Sequence, residues 1–269
     1  MDVSGFRLNR GTCPDYDRGM KRVFLSLLGA LVFHLSYGAE PVRPPGLSTT
    51  TAVTQDRDHA TYDWQQRHAA VLARNRVFQP EVVVFGDSIT HYWGGEPVAP
   101  HAWGAEAWAN CFAGLKVTNL GFGWDRTENV LWRIDHGELD GIQPKVVVVH
   151  IGTNNTAVHD RPGDISEGIA AICAAVHGKL PGAKILVMGI LPRHDEQPPR
   201  PAATEQVNAV LAGRFTNMPW VKYCDFGDAF RGPDGVPVAT LYRDGVHVNA
   251  AGYAILGAKI REQVLALLK

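Results

Sequence analysis

Five short apolar runs recur along the chain: Val82-Val83-Val84-Phe85, Val117 to Leu120, Val146 to Val149, Ile185 to Ile190 and Trp220 to Cys224. Most are continuous rather than alternating, as strands are when helices cover both faces of a parallel sheet. Between the runs the polarity takes a helical period. Ile165, Ile169, Ile172, Cys173 and Val176 fall on one helix face. Asp164 with Glu167 reads as a capping box at its start, and Gly178 and Pro181 as its stop. Near the end, Asn249 is placed to cap a helix whose stripe is Leu256, Ile260, Val264, Leu267 and Leu268. This alternation predicts an α/β fold: a three-layer α/β/α sandwich around a doubly wound, flavodoxin-like, mostly parallel five-stranded sheet.

The front of the chain has a different pattern. Residues 1–19 show no apolar periodicity and read as an upstream extension. From Met20, a short positive start (Lys21, Arg22) precedes the apolar run Val23 to Leu35, and small residues follow at Ser36, Gly38 and Ala39. That is the layout of a signal peptide over 20–39, cleaved near Gly38 or Ala39. The run is shorter than the roughly 20 apolar residues of a membrane span, so no stable span is expected after cleavage. The expected location is outside the cytoplasm, periplasmic or secreted. Pro41, Pro44, Pro45 and Ser48 to Thr51 predict a loose linker over 40–60. A single domain is then expected over 61–269.

Composition narrows the partners. The 269 residues carry a formal net charge of −1, which gives no basic footprint for nucleic acid. Four cysteines cannot staple a chain this long, so a hydrophobic core must hold it. The mature part keeps Cys111, Cys173 and Cys224, an odd number that forbids complete internal pairing. Cys173, on a helix stripe, and Cys224, at a strand end, read as small buried hydrophobes.

In a doubly wound sheet the site lies beyond the carboxyl ends of the strands. Gly86-Asp87-Ser88-Ile89-Thr90 follows the first strand, where a serine at a tight turn is either an exposed hydroxyl or simply a helix cap. Asn119-Leu120-Gly121-Phe122-Gly123-Trp124-Asp125-Arg126 closes the second. It lacks the third Gly of a dinucleotide fingerprint and the Gly-Lys-Ser/Thr of a P-loop. Gly152-Thr153-Asn154-Asn155 follows the third strand and could be a plain turn. Asp244-Gly245-Val246-His247 precedes the last helix and can supply a histidine base with the carboxylate that orients it. The conjunction of four such loops at one sheet edge outweighs the bland reading of each.

With these residues in place, the chain resembles the SGNH hydrolases, also called the GDSL esterase family. Within that family it is similar to the branch of the platelet-activating-factor acetylhydrolase α subunits. The likeness runs from about Trp64 to the C-terminus and includes Asn119 to Gly123, Val130 to Arg133, Gly137 to Leu139, Pro144 to Val146, Gly152 to Asn155, Leu191 to Arg193 and Gly252-Tyr253. It implies Ser88 as nucleophile, His247 as general base and acid, and Asp244 as its orienting partner. It also implies an oxyanion hole from the Ser88 N–H, the Asn154 side chain, and a backbone N–H of Trp124 or Gly123. The family glycine aligns with Trp124, and any residue but Pro can supply that N–H. The block-one motif ends in Ile89 where the family has Leu.

The implied activity is hydrolysis of short-chain acyl esters, acetyl above all, through an acyl-enzyme. The expected substrate is a small-molecule or glycan acyl ester, with acetylated carbohydrate first and a lipid-type acetyl ester second. A non-catalytic carbohydrate-binding protein on the same fold is the alternative from another class. No cofactor is expected. No metal is expected either, because His91, His101, His150, His159 and His194 show no ligand spacing. Family α subunits dimerise, so a homodimer is among the expectations. Asp125 and Arg126 read as loop braces. His91, Tyr92 and Trp93 either line the crevice or lie exposed in a first helical turn. Arg193 meets an anionic substrate or a structural partner.

Overall fold

The computed structural model describes residues 48–194 and 202–269. The leader expected at 20–39 and the extension before it lie outside the described residues. Helix α1 (Trp64–Val77) leads into β1 (Val82–Gly86), the short α2 (Ser88–His91) and α3 (Ala105–Cys111). Then come β2 (Val117–Gly121), α4 (Thr127–Asp135), β3 (Val146–His150), α5 (Thr153–Ala157) and α6 (Pro162–Lys179). The chain closes through β4 (Lys184–Met188), α7 (Ala203–Arg214), β5 (Val221–Cys224) and α8 (Ala250–Leu267). The strands form one sheet in the order β2-β1-β3-β4-β5, and every pairing is parallel. This is the flavodoxin-like order, and the expected sandwich is the one observed.

Two apolar layers flank the sheet. Val83, Phe85, Val147, Val149, Ile185 and Val187 pack with residues of α1, α4, α6 and α7. Val82, Val84, Val146, Val148, Leu186 and Met188 pack with residues of α3 and α8. Alternate strand residues thus enter opposite layers, which is why the runs have no polar face. Asn249 caps α8 as expected, accepting from the N–H groups of Ala251 and Gly252.

Helix α6 differs from its sequence reading. It begins at Pro162, with Arg161 as the residue before the first turn. Proline suits that opening position, having no N–H to leave unpaired. Asp164 therefore lies inside the first turn and pairs with Arg161 at 2.7 Å instead of capping. The three cysteines of the described residues are free thiols, with Cys111 and Cys173 buried.

A second difference concerns the expected linker. Residues 48–60 lie against the domain. The Thr49 hydroxyl donates to the Asp164 carbonyl at 2.6 Å, and the Val53 N–H to the Glu128 carbonyl at 3.2 Å. Gln55 is buried. Composition suggested a tether, but the few polar groups here find partners on α4, α6 and the loop after β2.

Candidate active site

Strand β1 ends at Gly86, and Ser88 opens α2. Asp87 between them caps the helix, accepting from the Ile89 N–H at 3.0 Å. The Ser88 N–H, in the first turn, has no partner among the described residues. Asn119 of β2 fixes this turn from below. Its side-chain amide donates to the carbonyls of Thr90 at 2.8 Å and Gly94 at 2.7 Å. Gly121 permits the close approach: a Cβ there would lie 2.4 Å from the His91 backbone nitrogen.

The Asp244–His247 segment is a self-closed turn. Asp244 Oδ1 accepts from the N–H groups of Val246 at 2.8 Å and His247 at 2.7 Å. The Arg243 N–H donates to the His247 carbonyl at 2.7 Å. Asp244 Oδ2 lies 2.9 Å from His247 Nδ1, and His247 Nε2 lies 2.8 Å from Ser88 Oγ. A hydrogen on Nδ1, held by the carboxylate, leaves the Nε2 lone pair to accept from the serine hydroxyl. Burial works to raise the Asp244 carboxyl, but hydrogen bonds from the His247 ring and backbone outweigh it and hold it below the usual range. Asp244 therefore stays ionised beside the ring.

The loop after β2 is held differently. The Gly123 N–H donates to His91 Nδ1 at 3.0 Å. The Gly123 carbonyl accepts from Gln55 Nε2 at 3.0 Å and Tyr62 Oη at 2.9 Å. The Trp124 carbonyl accepts from Arg57 Nη2 at 2.8 Å. Asn154, in the first turn of α5, donates Nδ2–H to the Asp125 carbonyl at 2.9 Å, which ties α5 to the loop and leaves its second amide hydrogen unassigned. The Trp124 N–H has no partner among the described residues. Trp124 has φ +63°, the left-handed region where glycine is the default residue.

Of the two expected backbone donors, the Gly123 N–H is already taken by His91 and the Trp124 N–H is not. Trp124 stands in the backbone conformation that the family glycine would take freely. His91 and Trp93 are fully buried and Tyr92 nearly so, contrary to an exposed first turn. Burial above all, with the nearby Arg67 and Arg133, lowers the His91 ring far below its ordinary value. His91 is therefore neutral, with Nδ1 as acceptor.

Asp125 is a brace, as expected. Its carboxylate accepts from Trp64 Nε1 at 2.7 Å, Gln55 Nε2 at 3.0 Å and Arg133 Nε at 2.9 Å. Arg133, fully buried, also pairs with Glu138, and Glu138 Oε1 lies 2.9 Å from His68 Nδ1. The Arg133 guanidinium sits 4.0 Å from the Phe122 ring centre. Sequence reading missed this chain of buried charge and the Gln55, Arg57 and Tyr62 contacts. No local signal marks them.

An aromatic rim borders His247. The Trp103 ring meets it edge-on at 5.3 Å, with His101 stacked on Trp103 and Tyr92 at 4.9 Å. The Arg243 guanidinium covers Trp103 at 4.4 Å. Among the described residues, no His, Cys, Asp and Glu side chains are grouped as metal ligands. No helix there is long and apolar enough to cross a membrane.

Residues 84–255 match the profile of the GDSL-like lipase/acylhydrolase family. The chain is 32% identical over 206 residues to platelet-activating factor acetylhydrolase IB subunit alpha1 of Homo sapiens, covering 76% of this chain and 84% of that protein. It is 31% identical over 207 residues to the alpha2 subunit of Rattus norvegicus, covering 77% and 85%. Among solved structures it is similar to a GDSL-like lipase from Bacteroides thetaiotaomicron, with TM-score 0.57, 19% identity, and 74% and 97% of the two chains covered. It is also similar to a catalytic mutant of an acetylxylan esterase from Geobacillus stearothermophilus, with TM-score 0.55, 18% identity, and 70% and 95% covered.

Proposed function

The chain belongs to the GDSL-like lipase/acylhydrolase family, the SGNH hydrolases, and we propose that it is a serine esterase that removes short acyl groups, acetyl first, from carbohydrate. The observation that carries the chemistry is the continuous relay Ser88 Oγ, His247 Nε2, His247 Nδ1, Asp244 Oδ2, with links of 2.8 and 2.9 Å. A binding module has no use for it.

Ser88 Oγ attacks the acyl carbonyl while His247 Nε2 takes the hydroxyl proton. The carbonyl oxygen becomes an oxyanion facing the N–H groups of Ser88 and Trp124 and the Asn154 amide. The intermediate collapses, His247 returns the proton to the departing alcohol oxygen, and the acyl group stays on Ser88. Water then attacks the acyl-enzyme, giving its proton to His247, and the acid is released as Ser88 regains its hydrogen. Every proton passes through His247, and Asp244 compensates its charge.

The carbohydrate reading draws on the exposed His101 ring, which lies on Trp103 beside His247 and can meet a sugar ring. Trp124 is partly exposed as well. The leader-like pattern at 20–39 supports this reading, since an exported enzyme would meet glycans. The likeness to the acetylhydrolase α subunits favours a second reading, a lipid-type acetyl ester.

The test is a panel of acetyl, butyryl and octanoyl p-nitrophenyl esters together with acetylated xylan. Acetyl preference and acetate release from xylan are expected. Octanoyl preference would reject the short-acyl reading, and unchanged hydrolysis by Ser88→Ala would reject the serine mechanism.

A further inference from the structure

Of the four polar backbone groups of Gly123 and Trp124, three are pinned. The Gly123 N–H is held by His91, the Gly123 carbonyl by Gln55 and Tyr62, and the Trp124 carbonyl by Arg57. The fourth, the Trp124 N–H, has no partner among the described residues. The peptide between the two residues is planar and trans, so its C=O and N–H point in opposite directions. Whatever holds the Gly123 carbonyl on one side therefore aims the Trp124 N–H to the other.

We infer that residues 55–62 form a positioning strap for the oxyanion hole: Gln55 and Tyr62 aim the Trp124 amide by anchoring the Gly123 carbonyl, and Arg57 fixes the peptide that follows. The inference rests on the serine-esterase reading above.

The strap is itself well braced. Arg57 Nη2 also donates to Asn129 Oδ1 at 2.6 Å, and the Arg57 N–H to Gln55 Oε1 at 2.7 Å. Gln55 Nε2 bridges the Gly123 carbonyl and the Asp125 carboxylate, so one amide group sets the loop at two points. Burial above all raises the Tyr62 phenol, so it keeps its hydrogen and donates. The strap packs closely on Gly123: a Cβ there would lie 2.8 Å from Asp58 Oδ2 and 3.0 Å from Tyr92 Oη. Those two atoms are joined at 2.7 Å, which closes the strap over the loop.

None of these side chains touches the reacting atoms, so Gln55, Arg57 and Tyr62 are positioning residues. An oxyanion donor works only if it is aimed at the place where charge develops. A misaimed donor should cost transition-state stabilisation and leave substrate binding alone.

The experiment uses the full chain with Gln55→Ala, Tyr62→Phe, their double variant, Arg57→Ala and Arg57→Lys. Ser88 is titrated with a fluorophosphonate so that rates are per active site. Turnover of p-nitrophenyl acetate is the readout, with inhibition by phenylboronic acid, which forms a tetrahedral adduct on serine. The double variant should lose about tenfold in kcat, part of the roughly 10²–10³ that a missing donor costs. KM should stay within about twofold, phenylboronic acid should weaken in parallel with kcat, and Arg57→Lys should recover part of the Arg57→Ala loss. Unchanged kcat per titrated site, or a rise in KM alone, would overturn the inference even if melting temperature falls. Tyr62→Phe, which removes a single oxygen, keeps the test open if the double variant folds poorly. The Ser88→Ala control separates the two readings. If it retains activity, the esterase reading fails and the strap with it. If it is inactive while the strap variants match the parent, the strap alone fails.

Discussion

The Asp244–His247 side of the site and the Trp124–Asn154 side hold their atoms by different means. The first is one short turn that closes on itself, with its side chains partly in solvent: 24% exposed for His247 and 45% for Asp244. The second is buried and braced from a distance. Its anchors lie 61 to 68 residues away in the chain for Tyr62, Arg57 and Gln55. Proton transfer needs a ring that can accept and return a proton, and a local turn suffices to orient it. Oxyanion stabilisation needs a donor fixed before charge develops, because reorganising it during the reaction would cost what it gains. Rigidity of that kind comes from many long-range contacts.

The comparison makes its sharpest prediction at the exposed side. His247→Ala should lower kcat for p-nitrophenyl acetate by roughly 10⁶, the scale known for a lone triad histidine. Its melting temperature should stay near that of the parent, because the ring is partly exposed and its loss breaks no core contact. On the other side, Asn154→Ala should cost about 10²–10³ in kcat and some stability as well, since its amide also satisfies the Asp125 carbonyl. A large melting shift in His247→Ala, with none in Asn154→Ala, would dissolve the distinction.

Arg133→Met carries the contrast into the core. It leaves the Asp125 and Glu138 carboxylates without their shared partner. Breaking a buried pair on one side costs about 3–5 kcal/mol. Urea unfolding should show that loss, with activity falling in the surviving folded protein because Asp125 no longer steadies the loop. A variant as stable as the parent would show that the buried charges do not hold this side.

Asp87 sits where the two sides meet, within electrostatic reach of His247 and Asp125. Burial, opposed mainly by the Ile89 N–H, pushes its carboxyl up to about 6. A raised folded-state value means that the folded protein holds this proton more tightly than the unfolded chain. The stabilisation is therefore complete below about pH 4 and is lost as pH rises through about 6. Asp87→Asn keeps an oxygen to cap Ile89 and cannot ionise. It should be more stable than the parent at pH 7.5, by up to about 3 kcal/mol in urea unfolding, and no more stable at pH 3.5. The same gain at both pH values would remove ionisation as its cause.

The same contrast decides what could be read from the chain alone. The sheet was legible because strands buried on both faces become continuous apolar runs, as Val146 to Val149 does. Ser88, Asn154, Asp244 and His247 could be singled out because each lies in a short motif that follows a strand or precedes the last helix, and the structure joins three of them. Trp124 was legible only as one of two candidates. Choosing it over Gly123 required knowing that His91, 32 residues away, accepts the Gly123 N–H. Gln55 and Arg57 were illegible for the same reason. A segment rich in Pro, Ser and Thr carries no record of partners almost 70 residues onward. The start of α6 was misplaced by a local ambiguity: Asp164 and Glu167 suit a capping box, but Pro162 suits the first turn better.

Trp124→Gly tests whether the buried side works through its backbone. The N–H would remain, and so would both carbonyls that Gln55, Tyr62 and Arg57 hold. At φ +63° glycine relieves a strain of about 1 kcal/mol but adds freedom to the unfolded chain, so stability should change by less than about 1 kcal/mol. Only the indole is lost. Acetyl ester turnover should therefore stay within a few-fold of the parent, while the ratio of butyryl to acetyl kcat/KM rises as space opens beside the acyl carbon. A hundredfold fall on the acetyl ester would assign the work to the side chain instead. The strap would then be aiming an indole, and the peptide-plane account of the oxyanion hole would have to be given up.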